Sequence, residues 1–198
     1  RRRAVVLKKT EKAQAEAKKL AKATEVKPKA KEAGFSAHYW SGVTGVKNVA
    51  EAIQKISKRK PTKVETVSAV NFASTKKFWK GLNKHYMSNF VARFRGHLAV
   101  PAKATYTFTA KCDDGCIVYI NGKAVVTNDG VKDASVAKSG KVQLSAGQST
   151  IVVDYFSGVG KSGLVVEWEG GGQQKGPITS KHVKRMDPYA GWIDGVPT

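Results

Sequence analysis

Alternation of apolar and polar side chains is the feature that most constrains what this chain can fold into. Residues 105–112 are the clearest case, because Tyr106, Phe108 and Cys112 fall on one side of an extended strand while threonine and lysine residues fall on the other. Residues 90–95 repeat the pattern. A period of two is typical of a half-buried β-strand, so the sequence favours a fold built from sheets.

Turn signals divide these strands into short segments. Asn121-Gly122, between two apolar runs, is the strongest of the short hairpin signals. Residues 145–148 form a second turn-like stretch, and residues 46–59 are the main segment with a helical pattern. Short strands joined by frequent turns predict a mainly β protein with an antiparallel β-sandwich.

An excess of positive charge extends over the whole chain. Its 198 residues include 35 Lys and Arg against 15 Asp and Glu, for a net charge of +20. Residues 1–33 carry twelve basic and four acidic residues and are rich in helix formers, so they predict a basic α-helical extension. We expect three parts: this arm, a sandwich over residues 34–183, and a tail over residues 184–198. Such charge attracts acidic proteins or phosphate backbones.

The sequence gives only weak signals about where in the cell the protein is located. The longest aliphatic runs are too short for a transmembrane segment, and the basic start lacks the apolar stretch of a secretory signal. The first residue is not methionine, which either trimming of the sequence or removal of a transit peptide would explain. A location inside an organelle, for example a plastid, is the expectation that follows from the second explanation.

Short motifs occur in the order found in one known family. In chain order they are GFSAHYW (34–40), FVARFRGHL (90–98), YTF (106–108), DDG (113–115), VYING (118–122), LSAG (144–147), VDYF (153–156) and LVVEW (164–168). Over residues 34–183 the chain therefore resembles the protective-antigen-type domain, a lectin-like β-sandwich found in bacterial toxins, glycosidases and yeast adhesins. The resemblance covers neither the arm nor the tail.

The acidic pair Asp113-Asp114 is the main candidate site. The resemblance implies a calcium ion here, because the adhesin branch of the family uses such a pair to hold Ca²⁺, which in turn binds sugar hydroxyls. Asn128 and Asp129 are candidates for further oxygen ligands. Turn formation and capping of loop amides also account for the pair, without any cofactor.

Two cysteines flank the acidic pair. Cys112 and Cys116 are four residues apart, so they can form a disulfide only across a tight hairpin and in an oxidising compartment. Two small buried apolar side chains are an equally good interpretation.

Residues 158–163 match a glycine-rich phosphate motif. A phosphate-binding loop needs a helix after it, whose N-terminus holds the phosphate. Residues 164–168 are predicted as a strand, so we expect a hairpin loop here and no nucleotide site.

The main functional hypothesis is a non-catalytic structural or linker protein. It would dock through its basic surfaces into a large acidic assembly, such as a phycobilisome antenna or a ribonucleoprotein particle. The residues assigned to this contact are Arg1, Arg2, Arg3, Lys8, Lys9, Lys12, Lys18, Lys19, Arg93 and Arg95.

The alternative hypothesis is a calcium-dependent carbohydrate-binding module, which the resemblance implies. A nucleic-acid-binding protein acting alone is a third class. Enzymatic activity is not expected, because the four histidines lack metal-ligand spacing and no nucleophile motif occurs.

Overall fold

The computed structural model describes residues 32–190, 192–193 and 196–197, and for the last two pairs the backbone alone. Within these residues there is one α-helix, α1 (Val49–Ile56), and a single 3₁₀ turn (Lys84–Tyr86). The strands are β1 (Phe35–Ser41), β2 (Lys63–Val67), β3 (Asn71–Thr75), β4 (Phe90–Val100), β5 (Ala104–Asp113), β6 (Gly115–Ile120), β7 (Lys123–Asn128), β8 (Ala137–Leu144), β9 (Gly147–Ser157), β10 (Ser162–Gly170), β11 (Gln173–Pro177), β12 (Val183–Arg185), β13 (Trp192–Ile193) and β14 (Val196–Pro197).

The strands form two antiparallel sheets that face each other. The larger sheet has the order β2-β1-β4-β9-β6-β7, and β12 extends the edge of β4 beyond β1. The smaller sheet has the order β11-β10-β5-β8, with β3 also paired to β10. The predicted antiparallel β-sandwich is confirmed, whereas the predicted helical arm lies outside the described residues.

The core lies between the sheets and follows the alternation seen in the sequence. Phe94 of β4, Phe108 of β5 and Trp168 of β10 are fully buried, and they belong to one continuous apolar cluster. The Trp168 ring stacks on Tyr106 with ring centres 5.4 Å apart. Burying such large rings supplies most of the stabilisation of a sandwich.

Helix α1 covers part of the outer face of the larger sheet. Asn48 caps its N-terminus, because the Asn48 side chain accepts a hydrogen bond of 2.9 Å from the Glu51 amide. Its buried residues Val49 and Ile56 pack against Trp40 in a second, smaller core. The helix predicted at residues 46–59 is therefore present in a shorter form. No helix among the described residues is long and apolar enough to cross a membrane.

The first part of the predicted tail docks on the same outer face. Strand β12 pairs with β4, and the Arg185 amide donates to the Glu32 carbonyl at 2.7 Å. Ser36 Oγ donates to the Met186 carbonyl, and His38 Nε2 lies 2.8 Å from the Pro188 carbonyl oxygen. Residues 184–190 thus cover β1 and bury His38 completely.

Burial of His38 predicts a loss of stability at acidic pH. The pKa of His38 is lowered to about 4, mainly by burial and in part by the charges of Arg95 and Arg93, against the opposing bonds to the Pro188 and Arg93 backbones. Because the unfolded chain takes up the proton near pH 6.5 and the folded chain does not, stability falls as the pH drops from about 6.5 to about 4. At about 1.4 kcal/mol per pKa unit, the loss amounts to roughly 3 kcal/mol.

Denaturant unfolding of the wild type and of His38→Gln across this pH range tests the prediction. Glutamine keeps a donor for Pro188 but does not titrate, so the advantage of the wild type should shrink as the pH falls. A difference between the two proteins that stays constant with pH would contradict the assignment to His38.

Candidate functional site

The acidic pair lies where the chain crosses from one sheet to the other. Asp113 ends β5 in the smaller sheet and Gly115 begins β6 in the larger sheet, so Asp114 lies between them. The peptide bond joining Asp113 to Asp114 is cis. Both carboxylates are almost fully buried at this end of the sandwich.

A disulfide joins the two strand ends that flank the acidic pair. Cys112 and Cys116 are bonded to each other, with their Cα atoms 6.2 Å apart. A ring of this size removes about 2 kcal/mol of chain entropy from the unfolded state, so it helps to fix the acidic pair.

Asp113 is held by neighbours from both sheets. Its Oδ2 atom accepts a hydrogen bond of 2.8 Å from Ser74 Oγ, beside β10. Its main-chain carbonyl accepts a short hydrogen bond from the Tyr155 hydroxyl on β9. Asp113 thus joins the two sheets at their common end.

Asp114 ties two loops together through its carboxylate. Oδ2 accepts from the Gly158 amide at 2.6 Å, and Oδ1 accepts from the Lys132 amide at 3.2 Å. Burial raises the pKa of Asp114, and these two bonds and the Lys132 charge oppose the rise. We call this region, residues 113–114, 129–136 and 158–161, the three-loop end.

Lys132 directs its ammonium group inward to the acidic pair. Nζ donates to the Asp114 carbonyl at 2.6 Å and to the Asn128 carbonyl at 2.8 Å, and it lies 3.8 Å from Cys112 Sγ. Burial lowers the pKa of Lys132, and the charges of Asp129 and Asp114 oppose that effect. The ammonium therefore satisfies two main-chain carbonyls beside the acidic pair.

The other two residues predicted as calcium ligands serve different purposes. The Asn128 side chain points between the sheets, where Nδ2 donates to the Ala110 and Val136 carbonyls at 3.0 and 2.9 Å. Asp129 Oδ1 accepts from the Val49 amide at 2.9 Å, at the start of α1. The main-chain carbonyl of Asn128 accepts from Lys132, and its side-chain Oδ1 is buried without a hydrogen-bond partner among the described residues.

The rim of the three-loop end is exposed and mixed in character. Val131 and Val159 are 67% and 89% exposed, on two loops that Asp114 holds together. Asp133 and Lys161 are exposed on the same two loops, and the Lys161 charge helps to lower the pKa of Asp133 after the bonds from Ser135. The rim thus places apolar methyl groups next to groups of both charges.

Arg93 and Arg95 lie on the outer face of the larger sheet, away from these loops. Arg93 Nε and Nη2 donate to the two carboxylate oxygens of Asp154 at 2.6 and 3.0 Å. Arg95 Nη2 donates to the Ala190 carbonyl at 3.0 Å. Docking of a partner on these arginines stays a prediction, and the other basic residues assigned to it lie outside the described residues.

Comparison with known families decides the classification. A family model described as the PA14 domain matches residues 57–185, which is more than half of the chain. The chain belongs to the PA14 domain family. No curated protein matches it.

Several solved structures share the fold. The PA14 sugar-binding domain from an RTX adhesin has a TM-score of 0.66 and 19% identity, over 78% of this chain and 99% of that one. An epithelial adhesin A domain from Candida glabrata, solved with Galβ1-3GlcNAc, has a TM-score of 0.55 and 15% identity, over 86% and 93%. An anti-sigma factor domain-containing protein has a TM-score of 0.63 and 19% identity, and this chain spans about half of it, 49%.

The acidic pair of this PA14 domain does not fit a calcium ion while Lys132 holds its position. Ca²⁺ needs about six to eight oxygens at roughly 2.3–2.6 Å. Both Asp114 carboxylate oxygens accept from backbone amides, and two carbonyls that could bind a metal accept from the ammonium. A divalent ion about 4 Å from that ammonium would meet a repulsion of about 8 kcal/mol at an effective dielectric constant of about 20. Among the described residues there is also no group of three or more His, Cys, Asp or Glu placed to hold a metal.

Sequence reasoning missed three members of this site: Ser74, Lys132 and Gly158. Lys132 and Gly158 are 18 and 44 residues from Asp114, and nothing in their local sequence marks them as partners. Asn128 did carry a signal, because it lies two residues after the buried Val126 on β7, and the strand period places both side chains inward.

Proposed function

We propose that this PA14 domain binds carbohydrate at the three-loop end. The observation that carries the proposal is that Asp114 joins two loops and leaves Val131 and Val159 exposed beside Asp133 and Lys161. Ligand sites combine apolar contact area with a few polar groups that fix orientation. A sugar ring matches this combination, because it has an apolar face of C–H groups and an edge of hydroxyls.

The comparisons support the same function. One similar structure is described as a sugar-binding domain, and another was solved with a disaccharide. They favour the carbohydrate-binding alternative of the sequence analysis over a linker in a phycobilisome or other acidic assembly. The linker hypothesis depends mainly on residues 1–33, and it stays a prediction together with the expectation that the chain is not an enzyme.

Binding of the purified protein to an array of defined oligosaccharides, Galβ1-3GlcNAc among them, tests the proposal. Hits are then titrated against Val159→Asp and Lys161→Ala, two changes on the exposed rim. We expect each change to weaken binding by about tenfold or more, equivalent to about 1.4 kcal/mol, without lowering the melting temperature.

The matched control is Lys123→Ala. Lys123 is equally exposed but begins β7 at the opposite end of the sandwich, next to the Asn121-Gly122 hairpin. Lys123→Ala removes the same charge as Lys161→Ala and should leave oligosaccharide binding unchanged. The proposal fails if no oligosaccharide binds, with or without added calcium, or if the control weakens binding as much as the rim variants do.

A further inference from the structure

The Lys132 side chain is placed as a metal ion would be. Its ammonium donates to the Asp114 carbonyl at 2.6 Å and to the Asn128 carbonyl, at the end of β7, at 2.8 Å. The amide of the same residue donates to the Asp114 carboxylate at 3.2 Å. Carbonyl oxygens that converge in this way are hard ligands, and when buried they need a donor or a cation.

Other groups at this end already donate to three of the four carboxylate oxygens of the pair. Gly158 donates to Asp114 and Ser74 donates to Asp113, while Asp129 is turned to the start of α1. Most of the oxygens that could form a calcium shell therefore accept hydrogen bonds from the protein itself, Asn128 Oδ1 being the buried exception among the described residues. The ammonium of Lys132, which is tethered to the chain, supplies the positive charge beside these oxygens.

We infer that Lys132 is a built-in cation that replaces calcium in this domain. It holds the loop after β7 against the acidic pair, so the three-loop end keeps its shape without a metal. The consequence for ligands, that oligosaccharide binding does not depend on calcium, rests on the proposed function. The consequence for stability does not rest on the proposed function.

Thermal unfolding tests the stability consequence directly. The melting temperature of the wild type should be the same in millimolar CaCl₂ as in excess EDTA. Lys132→Met, which keeps the length of the side chain and removes the ammonium, should melt roughly 5–10 °C lower, because buried carbonyls lose their donor.

Lys138→Met is the matched control. Lys138 is exposed on β8, and its charge reaches Lys132, so the variant changes the local charge by the same amount without breaking a hydrogen bond. It should melt within about 2 °C of the wild type, as an ordinary surface substitution does. The inference is overturned if calcium raises the melting temperature of the wild type, or if Lys132→Met melts like Lys138→Met.

Titration of an array-positive oligosaccharide in EDTA and in CaCl₂ tests the second consequence. Equal affinity in both is expected, and a loss of about tenfold or more in EDTA would overturn the inference. If no oligosaccharide binds under either condition, the proposed function fails while the thermal measurements still decide the role of Lys132.

Discussion

Replacing Arg93 with methionine is expected to lower the free energy of unfolding by about 3–5 kcal/mol. Arg93 on β4 lies directly opposite Asp154 on β9, and the two side chains form a bidentate ion pair. Asp154 is only 3% exposed, so the substitution would leave a buried carboxylate without its counter-charge. Burial lowers the pKa of Arg93, but the bonds and charge of Asp154 outweigh this effect and raise it.

Denaturant unfolding of a small variant set checks this expectation. The double variant Arg93→Met with Asp154→Leu should regain most of the loss, because it removes both charges together. Lys175→Met is the surface control, since its pair with Glu167 at 3.9 Å is largely exposed and should contribute less than about 1 kcal/mol. A loss for Arg93→Met as small as that of the control would show that the pair is not structural, and would leave Arg93 available to a partner.

Gly115→Ala is expected to lower the free energy of unfolding by about 2–4 kcal/mol. A methyl group at Gly115 would overlap the Phe156 ring and would lie 2.6 Å from Asp129 Oδ1. Phe156 packs in the core under α1, and Asp129 bonds to the first amide of that helix. The variant must therefore displace either a core ring or the carboxylate that stabilises the helix start.

Gly176→Ala separates this steric effect from the general effect of replacing glycine. The nearest atom to a methyl group at Gly176 is the Gln174 carbonyl oxygen at 4.0 Å, so its unfolding free energy should change by about 0.5 kcal/mol or less. Chemical denaturation of both variants gives the comparison. Equal stabilities would mean that the space around Gly115 relaxes, contrary to the packing described above.

The sheets could be predicted from the sequence because their signals are local. Strand alternation placed Tyr106 and Phe108 inside, and Asn121-Gly122 forms the β6–β7 hairpin. The outward position of Arg93 followed from the same alternation. The pairing of Arg93 with Asp154 could not be predicted in this way, because Asp154 is 61 residues away and only the β4–β9 pairing brings the two together.

The candidate site was predictable only in part for the same reason. Asp113 and Asp114 are adjacent in sequence, so their pattern could be recognised. What they do depends on the donors Ser74, Lys132 and Gly158, which arrive from three other segments of the fold. Chemistry assembled across loops leaves no signature at any one position, so a motif can indicate a site without revealing what occupies it.

The chain enters the sandwich beside β12, on the edge of β4. Ala33 pairs with Lys184, the Gly34 amide donates to the Val183 carbonyl at 2.8 Å, and Lys184 forms an ion pair with Glu32 at 2.9 Å. If the chain is pulled from both sides, the force acts first on these contacts between residues 32–34 and residues 183–184. The three-loop end, beyond the Phe90 end of β4, lies outside that line of force. We therefore expect tension on the chain to load the Glu32–Lys184 contacts before it deforms the three-loop end.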